Sequence, residues 1–189
     1  MATGKVGEVT YDLLRPTAYP KWVLSCHQHI GRRKAQEDRF ALCPALYDKS
    51  SAFFGVWDGT VGDFASHNIR SLVLPHLLAS KHWKAFRALG NGHVTPEHLR
   101  SLEEATKESF LKADNELVGM CRQARNHYAS STGVTVLIAG GVLTVGWLGD
   151  SRVALGYDQG GKARLSHDPP LTTTRRPDPA PQHCVCVCV

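Results

Sequence analysis

Ser51-Ala52-Phe53-Phe54-Gly55-Val56-Trp57-Asp58-Gly59-Thr60 is the stretch on which the fold of this chain turns. From Ser51 to Trp57 it is apolar and aromatic, dense enough to predict a buried strand. It halts at Asp58-Gly59, a turn signal. An acid just beyond a buried strand is often only a turn residue, and it is also a common way to project a carboxylate into a cleft.

Upstream, residues 21–29 read as a strand, followed by a basic and acidic run from Arg32 to Arg39 and an apolar run from Phe40 to Leu46. Downstream, Ile69, Leu72, Val73, Leu77 and Leu78 share one helical face, which predicts a helix from about Asp63 to Ser80 that Pro75 should kink or shorten. Gly90-Asn91-Gly92 reads as a loop. Thr95-Pro96 has the form of an N-cap with proline at the first helical position, opening a second helix whose stripe runs Leu99, Leu102, Phe110, Ala113, Leu117, Cys121. After Ser130 the pattern becomes β-branched. Strands are predicted over 134–139, 142–148, 153–157 and 162–166, separated by Gly140-Gly141 and Asp158-Gln159-Gly160-Gly161, as an antiparallel meander. Strands, two helices, then strands is an α+β order.

The chain has 189 residues, enough for one sizeable core, and 42% apolar with 21% charged residues excludes collagen, bulk disorder and a disulfide-dense miniprotein. Lys plus Arg is 22 against 17 for Asp plus Glu, a net +5 that favours phosphate-bearing partners without naming nucleic acid as the ligand. Six cysteines include no CxxC pair, so a structural zinc site is not expected, and reduced thiols fit a cytoplasmic or nuclear protein. No secretory signal stands at Met1 to Asp12 and no run of 18 apolar residues exists, so no membrane span is expected. From Pro169 periodicity disappears and the text reads as a flexible, oxidation-prone tail. Its end, Cys186-Val187-Cys188-Val189, is a poor prenylation box because cysteine holds the second aliphatic position. The organisation expected is an N-terminal segment (1–20), a partial domain (21–168) and a divergent tail (169–189).

Three places carry acids and arginines in positions suited to chemistry: Gly31-Arg32-Arg33-Lys34-Ala35-Gln36-Glu37-Asp38, the Asp58-Gly59 turn, and Leu148-Gly149-Asp150-Ser151-Arg152. Each alone reads as a solvated loop or hairpin corner. Two carboxylates projected together suit hard divalent cations such as Mg²⁺ or Mn²⁺, which prefer oxygen ligands. In order and together these motifs resemble the PPM (PP2C-like) metal-dependent protein serine/threonine phosphatases. Gly31-x-Arg33-x-x-x-Glu37-Asp38 is similar to the family's opening motif and Phe53-Phe54-Gly55-Val56-Trp57-Asp58-Gly59 to its central one. Ser131-Thr132-Gly133 resembles its Gly-Ser-Thr-Ala strand entry, and Gly149-Asp150-Ser151-Arg152 its Gly-Asp-Ser-Arg signature.

The resemblance implies an αββα sandwich of two antiparallel sheets flanked by helices, with a binuclear Mg²⁺/Mn²⁺ centre at one end whose bridging hydroxide attacks phosphoserine or phosphothreonine in proteins. By that resemblance Asp58 bridges the metals, the Gly59 carbonyl is a further ligand, and Asp38 holds a metal or its water. Arg33 clamps the substrate phosphate, and Asp150 helps hold an auxiliary metal. The chain departs from the family in two ways. Thr60, followed by Val61, replaces the motif's histidine and glycine, and a threonine hydroxyl does not donate a proton at neutral pH as imidazolium does. His67, seven residues on, reads as a helix-face residue. The family's downstream Asp-Gly-x-x-Asp and Asp-Asn motifs do not appear before Val189, and Asp168 and Asp178 have no strand to aim them. A domain incomplete at its C-terminus is therefore expected, with weak activity. The alternative is an inactive pseudophosphatase or truncated isoform that binds phosphoproteins or regulatory partners.

Overall fold

The computed structural model describes residues 4–6, 9–11, 26–47, 51–90, 93–158, 163–165 and 183–188. Its centre is a four-stranded antiparallel sheet in the order β3 (Arg39–Cys43), β4 (Ala52–Trp57), β7 (Gly133–Ala139), β8 (Val142–Leu148). A short pair, β1 (Gly4–Val6) with β2 (Val9–Tyr11), precedes it, and β5 (Gly59–Thr60) pairs with β6 (Ser130–Ser131) at one end. A three-stranded sheet runs β10 (Ala163–Leu165), β9 (Arg152–Asp158), β11 (His183–Cys188). The helices are α1 (Phe64–Ala79), α2 (Lys81–Ala88) and α3 (Pro96–Gln123).

The near-continuous apolar text of β4 and β7 has a direct cause: both strands are covered on both faces. Phe53, Trp57, Leu137 and Ala139 point to the helices and pack with Val73 and Leu77 of α1 and Leu102, Ala105 and Ala113 of α3. The alternate residues Ala52, Phe54, Val136 and Ile138 form a second cluster on the opposite face, joined by Leu42, Leu143, Val145 and Val153. Val153 belongs to β9, and β11 also approaches β4, so the three-stranded sheet lies against the face turned away from the helices. Helices, sheet and sheet are three of the four layers of an αββα sandwich. Among the described residues, helices cover one outer face. Trp57 is 1% exposed, and a Cβ on Gly55 would lie 2.3 Å from its indole, so the glycine two residues before it makes the room it needs.

The predicted helices and strands from Ser51 to Ser166 are present with small differences in their ends, and Arg39–Cys43 of the apolar run is strand β3. Four differences have physical reasons. Cys26 to Ile30 lies in no strand, and 21–25 of the predicted first strand falls outside the described residues. Pro75 does not end α1, which continues to Ala79. It sits on the exposed side together with Ser71, whose carbonyl loses its helical donor and faces water instead. The meander breaks between its second and third strands. β7 and β8 form one hairpin, and the chain then turns through Gly149 at φ +88° into the other sheet. Finally, six residues of the expected flexible tail form β11, antiparallel to β9 with Cys184 opposite Gly156 and Val187 opposite Val153. Asp168 and Asp178 lie outside the described residues. Among the described residues no helix is long and apolar enough to cross a membrane.

Candidate metal and phosphate site

The candidate site forms where β4 ends. Asp58 is half-buried at that end, and its main chain is held from both sides by the strand entry of β7. Its N–H donates to Thr132 Oγ1 at 3.2 Å, and its carbonyl accepts from the Thr132 N–H and the Ser131 hydroxyl, each at 2.9 Å. Gly59 follows in a space that admits no side chain. A Cβ there would lie 2.8 Å from the Glu37 carbonyl, the Gly62 carbonyl and Ser66 Oγ.

That crowding comes from the loop carrying Asp38, which is tied down beside Asp58. The Glu37 carbonyl accepts from Gly59 N–H at 3.2 Å and from the Ser66 hydroxyl of α1. Arg39 wraps the loop from below, donating to the Gln36 carbonyl at 2.7 Å and the Asp38 carbonyl at 2.6 Å while pairing with Asp63 at the start of α1. Gln28 Nε2 adds a 2.8 Å bond to the Asp38 carbonyl. The result is that the carboxyls of Asp38 and Asp58 come within hydrogen-bonding reach of each other. Burial, then the Asp38 carboxyl, then the charge of Asp150 hold the Asp58 carboxyl above the usual aspartate range, and Arg33 opposes them.

Arg33 stands exposed at the end of a tight turn in which its N–H bonds the Ile30 carbonyl at 3.2 Å. Asp150 is exposed in the corner between β8 and β9. Both are near enough to act on the Asp58 charge, so the residues singled out in three separate motifs converge on one end of the sandwich. Thr60 is exposed in β5 beside them. His67 is exposed on α1 with its ring 3.5 Å from the Arg70 guanidinium.

The donors fit a hard divalent cation: two carboxylates within reach of each other, all oxygen, with the Asp58 carboxyl disfavoured in its charged form by burial and its acidic neighbours until a positive charge offsets them. The set is small. Among the described residues no group of three or more His, Cys, Asp or Glu is gathered to hold a metal ion. The motifs do not reveal Arg39, Ser66, Thr132 and Ser151 as supports of the site. Their roles rest on contacts 19 to 74 residues apart in sequence, which no local pattern encodes.

Comparisons with known proteins bear on the family and the fold. The protein phosphatase 2C family profile matches residues 22–174. Protein phosphatase 1F of Rattus norvegicus is 33% identical over 142 residues, which cover 71% of this chain and 28% of that protein. Probable protein phosphatase 2C 56 of Oryza sativa subsp. japonica is 31% identical over 124 residues, 65% of this chain and 31% of that one. The chain thus spans less than a third of the length of these relatives. A serine-threonine phosphatase 2C from Toxoplasma gondii superposes with a TM-score of 0.65 at 44% identity, over 72% of this chain and 46% of that structure. The Staphylococcus aureus serine/threonine phosphatase Stp1, at 12% identity and a TM-score of 0.50 over 71% of this chain and 48% of that one, shares the fold. With the profile covering most of its length and its motif residues meeting at the end of β4, this chain belongs to the protein phosphatase 2C family.

Proposed function

We propose that this chain is the portion of a protein phosphatase domain that carries the phosphate clamp and the first cation ligands, serving removal of phosphate from phosphoserine and phosphothreonine in proteins. The observation that carries the reading is the pair Asp38 and Asp58, within hydrogen-bonding reach of each other, with Arg33 near enough for its charge to act on Asp58. Asp38, Asp58 and the Gly59 carbonyl would hold Mg²⁺ or Mn²⁺, with Asp150 as an auxiliary ligand. When bound, these cations supply a water acidic enough to be a nucleophile near neutral pH.

The remaining work falls to the chain's own groups. Arg33, planar and permanently charged, takes two phosphate oxygens and fixes the phosphorus at the mouth of the site. Its exposure leaves room for a protein substrate. Thr60 stands where a proton donor for the departing serine or threonine alkoxide is needed. Its hydroxyl does not fill that role near neutral pH, so the leaving group takes its proton from water and turnover is slow.

A second reading, a phosphoprotein-binding protein without turnover, is favoured by that same Thr60 and by the small number of carboxylates gathered among the described residues. Hydrolysis of a phosphothreonine peptide separates the two. Mn²⁺-dependent release of phosphate that disappears in Asp58→Asn supports the phosphatase. A folded chain that binds the peptide through Arg33 and releases no phosphate with Mn²⁺ supports the second reading.

A further inference from the structure

Two hydroxyls next to the site, neither of them a ligand in the reading above, link the backbone segments that carry two of its acids. Thr132 Oγ1 accepts the Asp58 N–H at 3.2 Å and stands 2.5 Å from Ser151 Oγ. Thr132 enters β7 of the four-stranded sheet. Ser151, 8% exposed, immediately follows Asp150 at the corner leading into β9 of the other sheet. The bond therefore ties the entry of β7 to the corner that leads from β8 into the other sheet, next to Asp58 on one side and Asp150 on the other. The proton arrangement is consistent. Having accepted from the Asp58 amide, the threonine hydroxyl keeps its own proton to donate to Ser151, or accepts from Ser151 on its second lone pair.

Packing supports the same contact. Gly149, at φ +88°, leaves no space for a side chain, since a Cβ there would meet Thr132 Cγ2 at 2.9 Å. The threonine methyl thus rests on the Gly149 backbone while its hydroxyl reaches Ser151. Serine at this position would keep the hydrogen bonds and lose the methyl contact. Valine would keep the packing and lose the bonds.

We infer that Thr132 and Ser151 are positioning residues for the cation site, acting as a hydroxyl clasp that sets the Asp58 main chain against the Asp150 corner. The inference rests on the cation reading given under the proposed function and specifies what holds its ligands in place. The clasp fixes where the segments carrying Asp58 and Asp150 stand before a cation arrives, so less reorganisation opposes binding. Outer groups that orient ligands in this way are worth about 10- to 100-fold in metal affinity.

The test is a Mn²⁺ titration of the full chain followed by electron paramagnetic resonance of the free ion, with melting in EDTA to establish that each variant is folded. Thr132→Val is expected to weaken Mn²⁺ binding by about tenfold while remaining folded, and Thr132→Ser to keep the affinity of the unsubstituted chain. Ser151→Ala, which cuts the tie to the Asp150 corner without touching the Asp58 bond, should weaken binding in the same direction. A merely structural role would lower the melting temperature and leave the affinity of the folded protein unchanged. Thr132→Val binding as tightly as the unsubstituted chain, or Thr132→Ser binding as weakly as Thr132→Val, overturns the clasp. No Mn²⁺ binding by the unsubstituted chain overturns the cation reading itself, and the clasp with it.

Discussion

Val61 holds a left-handed backbone, φ +59°, three residues after Asp58 and with its side chain largely in solvent. A β-branched residue pays for that conformation through the clash of Cβ with the neighbouring carbonyl, on the order of 1–2 kcal/mol. Gly62 beside it is also at positive φ, +94°, so the turn from β5 into α1 demands this geometry whatever residue occupies it. Val61→Gly should therefore raise stability by about 1 kcal/mol, read as a higher denaturation midpoint at unchanged slope. An unchanged or lower midpoint would mean the turn relaxes away from that conformation. Residue-level chemistry was only partly legible in the sequence. Asp58, standing at the end of an apolar run, can be picked out as a candidate from pattern alone. That Asp38 faces it depends on Arg39 reaching Asp63 and on Ser66 reaching the Glu37 carbonyl, contacts between loop and helix that leave no periodic trace.

Elements announce themselves when they are long and repetitive. α3 runs 28 residues with a buried stripe and a Thr95 cap whose hydroxyl accepts from the His98 N–H, so both its existence and its start are readable. α2 has eight residues and buries only Trp83 and Phe86, too little repetition to distinguish it from a loop. What defines α2 is Ser80, fully buried between it and α1. Its hydroxyl accepts the His82 N–H at 3.1 Å and donates to the Glu108 carboxylate of α3. Ser80→Ala removes a cap and a tie between three helices and should cost about 1–2 kcal/mol in a denaturant titration. Glu108 is held down to about 2 from 4.5, first by Lys112 at 2.7 Å and then by Ser80. A carboxyl depressed in the folded state stabilises it above the unfolded value and stops doing so as pH falls through the folded one. Glu108→Gln should thus melt lower than the unsubstituted chain at neutral pH, with the gap closing between pH 4.5 and about 2. A gap that persists at the acid end would assign the loss to packing and not to charge.

Across the whole molecule, strands are easier to read than the sheets they join. β8 and β9 are both evident as apolar segments, yet nothing in either says that the chain changes sheets at Gly149. A strand's composition reports burial and not the identity of its neighbour. β11 is the clearest case: its alternation of cysteine and valine suits a strand, but the prolines before it suggest a tail. Because β11 covers one edge of β9, removing residues 183–189 should lower the melting temperature and increase self-association through the bared edge. An unaltered, monomeric melt would place β11 outside the cooperative unit. The family assignment agrees with motifs that the fold brings to one end of the sandwich, and the main proposal drawn from them is that Asp38 and Asp58 at that end would hold a divalent cation. Thermal unfolding with and without Mn²⁺ tests this most directly. Binding at a hundredfold excess over Kd stabilises by about 2.7 kcal/mol. The unsubstituted chain should melt several degrees higher in Mn²⁺ than in EDTA, and Asp58→Asn should melt at the same temperature in both. An equal shift in both proteins, or none in either, would contradict the account.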